Sequence, residues 1–137
     1  MDCTQIKEIN HGKKYELTDE ITEVDGKTLH RIRALRDFGG IKAEDLGGLI
    51  EHEGNLSHEG NCWIWYKACV FGDARVYGNA QVYGEAYIYD GARVYGNAQV
   101  YGDAHVYGHA KIYGEACVCW DDWIDDDRRI STREQTR

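Results

Sequence analysis

The stretch ARVYGNAQVYG stands at residues 74–84 and returns unchanged at residues 92–102, eighteen positions later. An aliphatic residue occupies every sixth position from Ile64 to Ile124, and as far as Ala116 a small residue, Ala or Cys, precedes each by two positions. Residues two apart on a strand point to the same side, so both members of each Ala-x-Val unit enter a core. Three such units bring the chain back to an equivalent point, which predicts a triangular coil of short parallel strands.

The segment ahead of the repeat is predicted to contain a β-hairpin. Tyr15–Val24 and Lys27–Leu35 have the composition of two strands, and Asp25-Gly26 between them is a typical hairpin turn. We expect this hairpin to cap the open N-terminal end of the solenoid, and we assign residues 1–40 to this N-terminal extension.

The solenoid itself is assigned to residues 41–124. Extending the eighteen-residue register backwards from the regular repeat predicts a degenerate first coil from about Ile41. That register places Leu46 in an aliphatic position and Leu56 in a small-residue position. The sequence therefore predicts one irregular coil between the hairpin and the regular repeat.

The C-terminal end of the repeat is marked by a polar residue in a core position. Asp122 stands where an alanine is expected, so regular coiling is predicted to stop near Trp120. We expect Trp120, Trp123 and Ile124 to fold over the end as an apolar lid. Residues 125–137 are assigned to a tail that is first acidic and then basic, and its last ten residues are expected to be disordered.

The repeat resembles that of the bacterial hexapeptide-repeat superfamily, here in the form Val-Tyr-Gly-x-Ala-x. More narrowly, the whole chain resembles short phage and prophage proteins in which this repeat follows a similar leader. The matching segments are KYELTDE (14–20), RIRALRDFG (31–39), EDLGGLIE (44–51) and NLSHEGNCW (55–63). The resemblance implies a left-handed coil, so the expected fold is all-β: a left-handed parallel β-helix of three hexads per coil with a small hairpin cap.

Charge and composition narrow the classes of function. The net charge is −8, which argues against generic nucleic-acid binding because that depends on neutralising phosphates. No apolar run is long enough for a membrane span, and residues 1–20 lack the apolar core of a signal peptide. We therefore expect no membrane association and a cytoplasmic location, which is the host cytoplasm if a phage encodes the chain.

Five cysteines at irregular spacing are expected to be free thiols rather than a disulfide framework. Cys117 and Cys119 suggest a metal site, but a structural zinc site uses about four ligands in clustered pairs. We accordingly expect neither a metal nor a cofactor.

Two outer surfaces are candidates for binding a partner. The first is the acidic C-terminal end, where tryptophans alternate with carboxylates; with the stacked acidic corner residues it comprises Trp120, Asp121, Asp122, Trp123, Asp125, Asp126, Asp127, Glu85 and Asp103. The second is one face of the prism, made of Arg75, Tyr77, Arg93, Tyr95, Lys111 and Tyr113. Aromatic residues and arginine are favoured at interfaces. A purely structural role is also open, since aromatic ladders stabilise stacked coils and acidic turns keep a solenoid soluble.

The resemblance also implies a catalytic alternative, because many hexapeptide-repeat proteins are acyltransferases with a histidine as general base. His105 and His109 are the candidates, but no protruding loop forms a pocket around them and no partner carboxylate is visible. We therefore expect no catalytic residues and a non-enzymatic binding protein that blocks a host protein or nucleoprotein complex, for example an anti-CRISPR inhibitor. Acyltransferase activity and a structural spacer remain the alternatives. The outward aromatic residues further predict self-association as a dimer or trimer.

Overall fold

The computed structural model describes residues 13–118, 123–124 and 128–131, and this part of the chain is a β-solenoid with a single short 3-10 turn at Glu53–Asn55. The strands are β1 (Tyr15–Val24), β2 (Lys27–Ala34), β3 (Leu46–Ile50), β4 (Trp63–Ile64), β5 (Cys69–Val70), β6 (Arg75–Val76), β7 (Gln81–Val82), β8 (Tyr87–Ile88), β9 (Arg93–Val94), β10 (Gln99–Val100), β11 (His105–Val106), β12 (Lys111–Ile112), β13 (Cys117–Val118), β14 (Trp123–Ile124) and β15 (Arg129–Ile130). The predicted all-β parallel β-helix is confirmed. No helix in the described ranges is long and apolar enough to cross a membrane.

Three sheets form the sides of the prism. Their strand orders are β1-β2-β3-β5-β8-β11-β14, β4-β7-β10-β13 and β6-β9-β12-β15. From β4 onward, strands paired in parallel lie eighteen residues apart, as Val76 and Val94 do. The backbone N–H of Tyr77 donates to the carbonyl of Val94 at 3.0 Å, and equivalent bonds join the other coils. The eighteen-residue repeat thus corresponds to one complete coil.

The core of the prism is built from the two repeating positions. All the aliphatic residues from Ile64 to Ile124, and all the small residues from Cys62 to Ala116, have at most 1% of their surface exposed. Alanine keeps the three sides close together, while the branched residue fills the space between them. The predicted inside and outside of the repeat are therefore confirmed.

Glycine at the corners permits close stacking of successive coils. Gly84 has a φ of +67°, and a Cβ built there would lie 2.7 Å from the backbone nitrogen of Gly102. A side chain would thus be strained by the backbone angle and would collide with the next coil. At one corner the order of the two turn residues is reversed, so Asp90 takes the position of the glycine and also has a positive φ, of +58°. The carboxylate of Asp90 accepts a hydrogen bond from the Gly108 N–H at 3.1 Å.

The N-terminal hairpin has the predicted turn at Asp25-Gly26 and extends one side of the prism, because β2 pairs antiparallel with β3. Near the base of the hairpin, Tyr15 and Ile32 join the main core and cover the N-terminal end of the solenoid. Near its tip, Leu29 packs against Phe71 in a second cluster on the outside of the prism. The hairpin therefore closes the end and also covers part of one face.

The first coil follows a different register from the one predicted. Ile50 pairs with Val70 and Leu56 with Val76, so both pairs lie twenty residues apart rather than eighteen. Leu56 is fully buried in an aliphatic position, whereas Leu46 is 45% exposed, and the predicted positions of both are wrong. The cause is the corner at residues 57–61, which is two residues longer than a regular corner.

The solenoid also continues beyond its predicted end at residue 124. β14 pairs with β11, and β15 pairs with β12, which brings Ile130 beside Ile112 in the core. Ile130 is only 2% exposed, so its segment is not a disordered tail. Ile130 follows Ile124 by six residues, so the spacing of the repeat persists here. The consensus residues do not, because the exposed Arg128 stands in the position that a small residue occupies in the regular coils.

Candidate binding surface

Three outer faces result from the side chains that flank each core aliphatic residue. We call them by their composition: the basic face on β6, β9, β12 and β15; the glutamine face on β4, β7, β10 and β13; and the aromatic face on β5, β8, β11 and β14. The register of the strands confirms that Arg75, Arg93 and Lys111 share one face, as predicted.

The basic face carries a ladder of stacked tyrosines. Tyr77 and Tyr95 have ring centroids 4.8 Å apart and an interplanar angle of 1°, and Tyr95 and Tyr113 are 5.2 Å apart at 8°. Burial in this stack, together with the neighbouring tyrosines, raises the pKa of Tyr95, while Arg129 and Arg93 oppose the shift. The three stacked rings offer a flat, half-buried strip of aromatic surface.

A ladder of four cations runs beside the tyrosines. Arg75, Arg93, Lys111 and Arg129 occupy successive coils in register, and all but the half-buried Lys111 are exposed. Within the described ranges, no carboxylate forms an ion pair with any of them. Among the described residues, the cation–π contacts belong to Lys14 and Arg31, and none joins these four cations to the ladder tyrosines. The four cations of this face are thus free of ion pairs with the described carboxylates.

The glutamine face is polar but uncharged. The indole N–H of Trp65 donates to Gln81 at 2.9 Å, and the Tyr83 hydroxyl donates to Gln99 at 2.8 Å. A shallow groove of about 370 Å³ lies between these four side chains. Because its amides and hydroxyls already bond one another, this face offers less unsatisfied polarity to a partner than the basic face does.

The hairpin covers the first part of the aromatic face and leaves the rest of it uncovered. The His105 ring stacks between Tyr87 at 5.2 Å and Trp123 at 4.0 Å, and Tyr89 stacks on Tyr107 at 5.2 Å. Burial lowers the pKa of His105, although Asp103 opposes the shift. Trp123 is 58% exposed on the outside, so its predicted role in an apolar lid is wrong.

The predicted acidic end lies largely outside the described residues. This applies to Trp120, Asp121, Asp122, Asp125, Asp126 and Asp127. Glu85 and Asp103 are exposed on neighbouring coils at one corner, where the Glu85 N–H donates to the Gly102 carbonyl at 2.8 Å. Trp123 points from the aromatic face. The structure therefore stacks the two corner carboxylates as predicted and places Trp123 beside His105.

The candidate catalytic histidines lie in different surroundings. His105 is part of the aromatic stack, with the Tyr89 hydroxyl 3.4 Å from its Nδ1. His109 is exposed at a corner, where a Cβ added to Gly91 would lie 3.2 Å from it. No described carboxylate bonds either ring, so the orienting partner of a general base is missing from both among the described residues. The acyltransferase alternative thus gains no support from their geometry.

A buried polar cluster at the N-terminal end was not predicted. The ammonium of Lys14 is fully buried and donates to the Cys62 carbonyl at 2.8 Å, and burial lowers the pKa of Lys14. The Tyr15 hydroxyl donates to the Leu56 carbonyl at 2.6 Å, and the Tyr15 ring stacks on His58 at 4.1 Å. Contacts between residues more than forty positions apart leave no periodic signal, so the sequence pattern could not reveal them.

His58 links this cluster to the surface through both ring nitrogens. Its Nδ1 accepts the backbone N–H of Lys14 at 3.0 Å, which leaves Nε2 to donate to Glu53 at 3.0 Å. Partial burial favours the neutral form of Glu53, but hydrogen bonds from His58 and Lys13 outweigh this and lower the pKa of its carboxyl. His58 therefore acts as a fixed structural element of the irregular corner.

The described cysteines Cys62, Cys69 and Cys117 are free thiols, as predicted. Burial raises the pKa of Cys69 to about 11 and also raises that of Cys62. Among the residues that the structure places, no three His, Cys, Asp or Glu side chains are grouped to hold a metal ion. The chain matches no protein-family model and no curated protein.

Proposed function

We propose that the chain is a non-enzymatic, phage-type binding protein that blocks a host macromolecular complex by docking an acidic protein surface on its basic face. An anti-CRISPR type of inhibitor is the concrete form of this proposal. The observation that carries it is the ladder of Arg75, Arg93, Lys111 and Arg129, none of which forms an ion pair with a carboxylate of the described residues.

Maintaining this ladder costs stability in the free protein. Like charges directly opposite each other on neighbouring strands are destabilising, by analogy with antiparallel pairs by about 0.2–1 kcal/mol each. A partner that supplies carboxylates at the spacing of the coils, roughly 4.8 Å, would relieve this repulsion along the whole row. A feature that disfavours the free fold and favours a complex supports a role in binding.

The tyrosine ladder complements the cations in the way that interfaces require. Tyr77, Tyr95 and Tyr113 form a rigid strip, and stacking restrains their rings before any partner arrives. Tyrosine and arginine are enriched among the residues that contribute most to binding energy. The strip would provide apolar contact while the neighbouring cations orient the partner.

An acidic protein suits this face better than a nucleic acid does. The exposed Asp73 and Asp90 border it at one corner, and Glu115 at the other, where it accepts a hydrogen bond from Asn97 at 3.2 Å. These carboxylates and the net charge of −8 would repel a continuous phosphate backbone. A protein surface can place its carboxylates against the ladder and basic groups against the borders.

The proposed function also implies a cellular location and an oligomeric state. The chain would act in the cytoplasm of the host cell, where such complexes work. We also propose that it self-associates as a dimer or trimer through the aromatic face, where Trp123 and Tyr107 extend beyond the hairpin. This arrangement would leave the basic face accessible.

The proposal is tested in bacteria whose CRISPR complexes restrict a test phage. The chain, expressed beforehand, should restore plaque formation and co-purify with a component of the inhibited complex. Lys111→Gln combined with Arg129→Gln should abolish both effects. The matched control, Lys42→Gln with Lys67→Gln, removes two exposed charges elsewhere and should retain them. Failure of the wild-type chain to inhibit any complex tested would refute the proposal, and equal loss in both variants would exclude the basic face.

A further inference from the structure

The tyrosine ladder of the basic face ends abruptly towards the first coil. Tyr77 stacks on Tyr95 on one side. On its other side, the pairing of Leu56 with Val76 places Ser57 where the next ring of the ladder would stand. No aromatic ring in the described part of the chain therefore covers this side of Tyr77.

A notch opens at this position because the first coil is irregular. Asn55 turns its side chain inward and donates to the Ala74 carbonyl at 2.9 Å, and the longer corner begins immediately after Leu56. The notch has a volume of about 410 Å³, and its lining includes Glu53, Leu56, His58, Arg75, Tyr77 and Arg93. That volume is within the range of about 300–1,000 Å³ typical of small-molecule sites.

The charges in the notch favour an anion. Arg75 and Arg93 lie in register on neighbouring coils, and neither forms an ion pair with a carboxylate of the described residues. The one carboxylate in the lining, Glu53, is already held by Lys13 at 3.2 Å and by His58 at 3.0 Å. Two guanidinium groups are thus available to a ligand, while the negative charge of the notch is engaged by its neighbours.

We propose that the notch binds a nucleoside monophosphate, with its base stacked on Tyr77 as the next ring of the ladder and its phosphate held by Arg75 and Arg93. Stacking on an aromatic ring accepts any base, and guanidinium forks match phosphate oxygens. The alternative occupant, a single aromatic side chain of another protein, would fill only part of the notch and would supply no anion to the two guanidinium groups. The notch shares Arg75, Arg93 and Tyr77 with the basic face, so a bound nucleotide and a docked protein would compete for these residues. Nucleotide binding does not rest on the proposed function, because it would occur in the isolated chain.

The direct test is calorimetric titration of the purified full chain with adenosine 5′-monophosphate. We expect saturable binding of one nucleotide per chain. Adenosine and inorganic phosphate, titrated separately, should each bind at least about tenfold more weakly, since each makes only half of the contacts. Absence of nucleotide binding at millimolar concentration would overturn the proposal, as would equally tight binding of inorganic phosphate.

Matched variants locate the site on the prism. Tyr77→Ser should weaken nucleotide binding about tenfold, whereas Tyr113→Ser, at the other end of the same ladder, should change it by less than about twofold. Arg75→Gln with Arg93→Gln should likewise weaken it, whereas Lys111→Gln with Arg129→Gln should not. Circular dichroism verifies the fold of each variant. If the members of either matched pair weaken binding equally, the notch is not the site.

Discussion

Arg93 and Lys111 lie opposite each other in register on neighbouring coils, with no carboxylate of the described residues bonded to either. This pairing is a direct consequence of the repeat, because eighteen-residue coils place every eighteenth side chain in one row. A row of like charges is therefore as regular as the core that supports it.

The core prediction concerns Ala98, which is fully buried between the three sides of the prism. Ala98→Leu should lower the free energy of unfolding by about 1–3 kcal/mol because the narrow prism has no room for the larger side chain. Tyr113→Ser, on the outside, should remove one stacking contact and cost about 0.5–1.5 kcal/mol. Chemical denaturation measures both, and a larger loss for Tyr113→Ser would mean that inside and outside are inverted.

The register of the first coil is tested by two leucines. Leu56→Ala should cost about 2–5 kcal/mol, because Leu56 is fully buried above Val76 and a cavity would remain. Leu46→Ala should cost less than about 1 kcal/mol, since nearly half of the Leu46 side chain is exposed. If the eighteen-residue register predicted from the sequence applied here, both leucines would be in the core and both variants would lose much of their free energy of unfolding. The denaturation midpoints of the two variants therefore distinguish the registers.

A pH dependence follows from His105, whose pKa in the folded protein is lowered by burial below its usual 6.5. The unfolded chain then binds a proton more readily than the folded one, so this contribution to stability is present above about pH 6.5 and is lost as the pH falls through the lowered pKa. His105→Phe keeps the ring stack but cannot titrate. The fall in melting temperature between pH 7.5 and pH 5 should therefore be smaller in this variant than in the wild type, and an equal fall would contradict the assignment.

Self-association is tested at Trp123, the most exposed large hydrophobic residue of the described chain. If the aromatic face forms the contact between copies, light scattering should give a dimer or trimer mass for the wild type at micromolar concentrations. Trp123→Ser should shift this mass to that of the monomer. The control Trp65→Ser, on the glutamine face, should leave it unchanged. A monomer mass for the wild type at all these concentrations would refute the proposed self-association.

The sequence predicts the regular part of this fold well and the irregular parts poorly, for a physical reason. Ala98 and Val100 belong to a period that constrains every coil, so their burial could be predicted from spacing alone. The corner between Leu56 and Cys62 has two more residues than a regular corner, and no consensus residue marks the insertion. The eighteen-residue register is therefore wrong when it is extended backwards through this corner. Trp123 was expected to be a lid because the consensus fails there, yet the spacing continues and turns its side chain outward.

The binding surface was predicted in part for the same reason. The row from Arg75 to Lys111 follows from the period and was found where expected, and Arg129 extends it beyond the predicted end of the solenoid. The absence of ion pairs in this row depends on side-chain contacts, and the notch beside Tyr77 depends on the irregular corner. Neither property is encoded in a repeat, so both required the structure.

The measurement that tests the central claim most directly compares the basic face with the acidic C-terminal end. The dissociation constant of the chain and its purified target complex would be measured at 50 and 300 mM salt. Lys111→Gln with Arg129→Gln should weaken binding at least about tenfold and reduce its salt dependence, since both cations lie in the proposed contact. Asp125→Lys with Asp126→Lys and Asp127→Lys should leave the affinity within about threefold. The opposite result, with affinity lost in the triple variant and kept in the double variant, would contradict the assignment of the basic face.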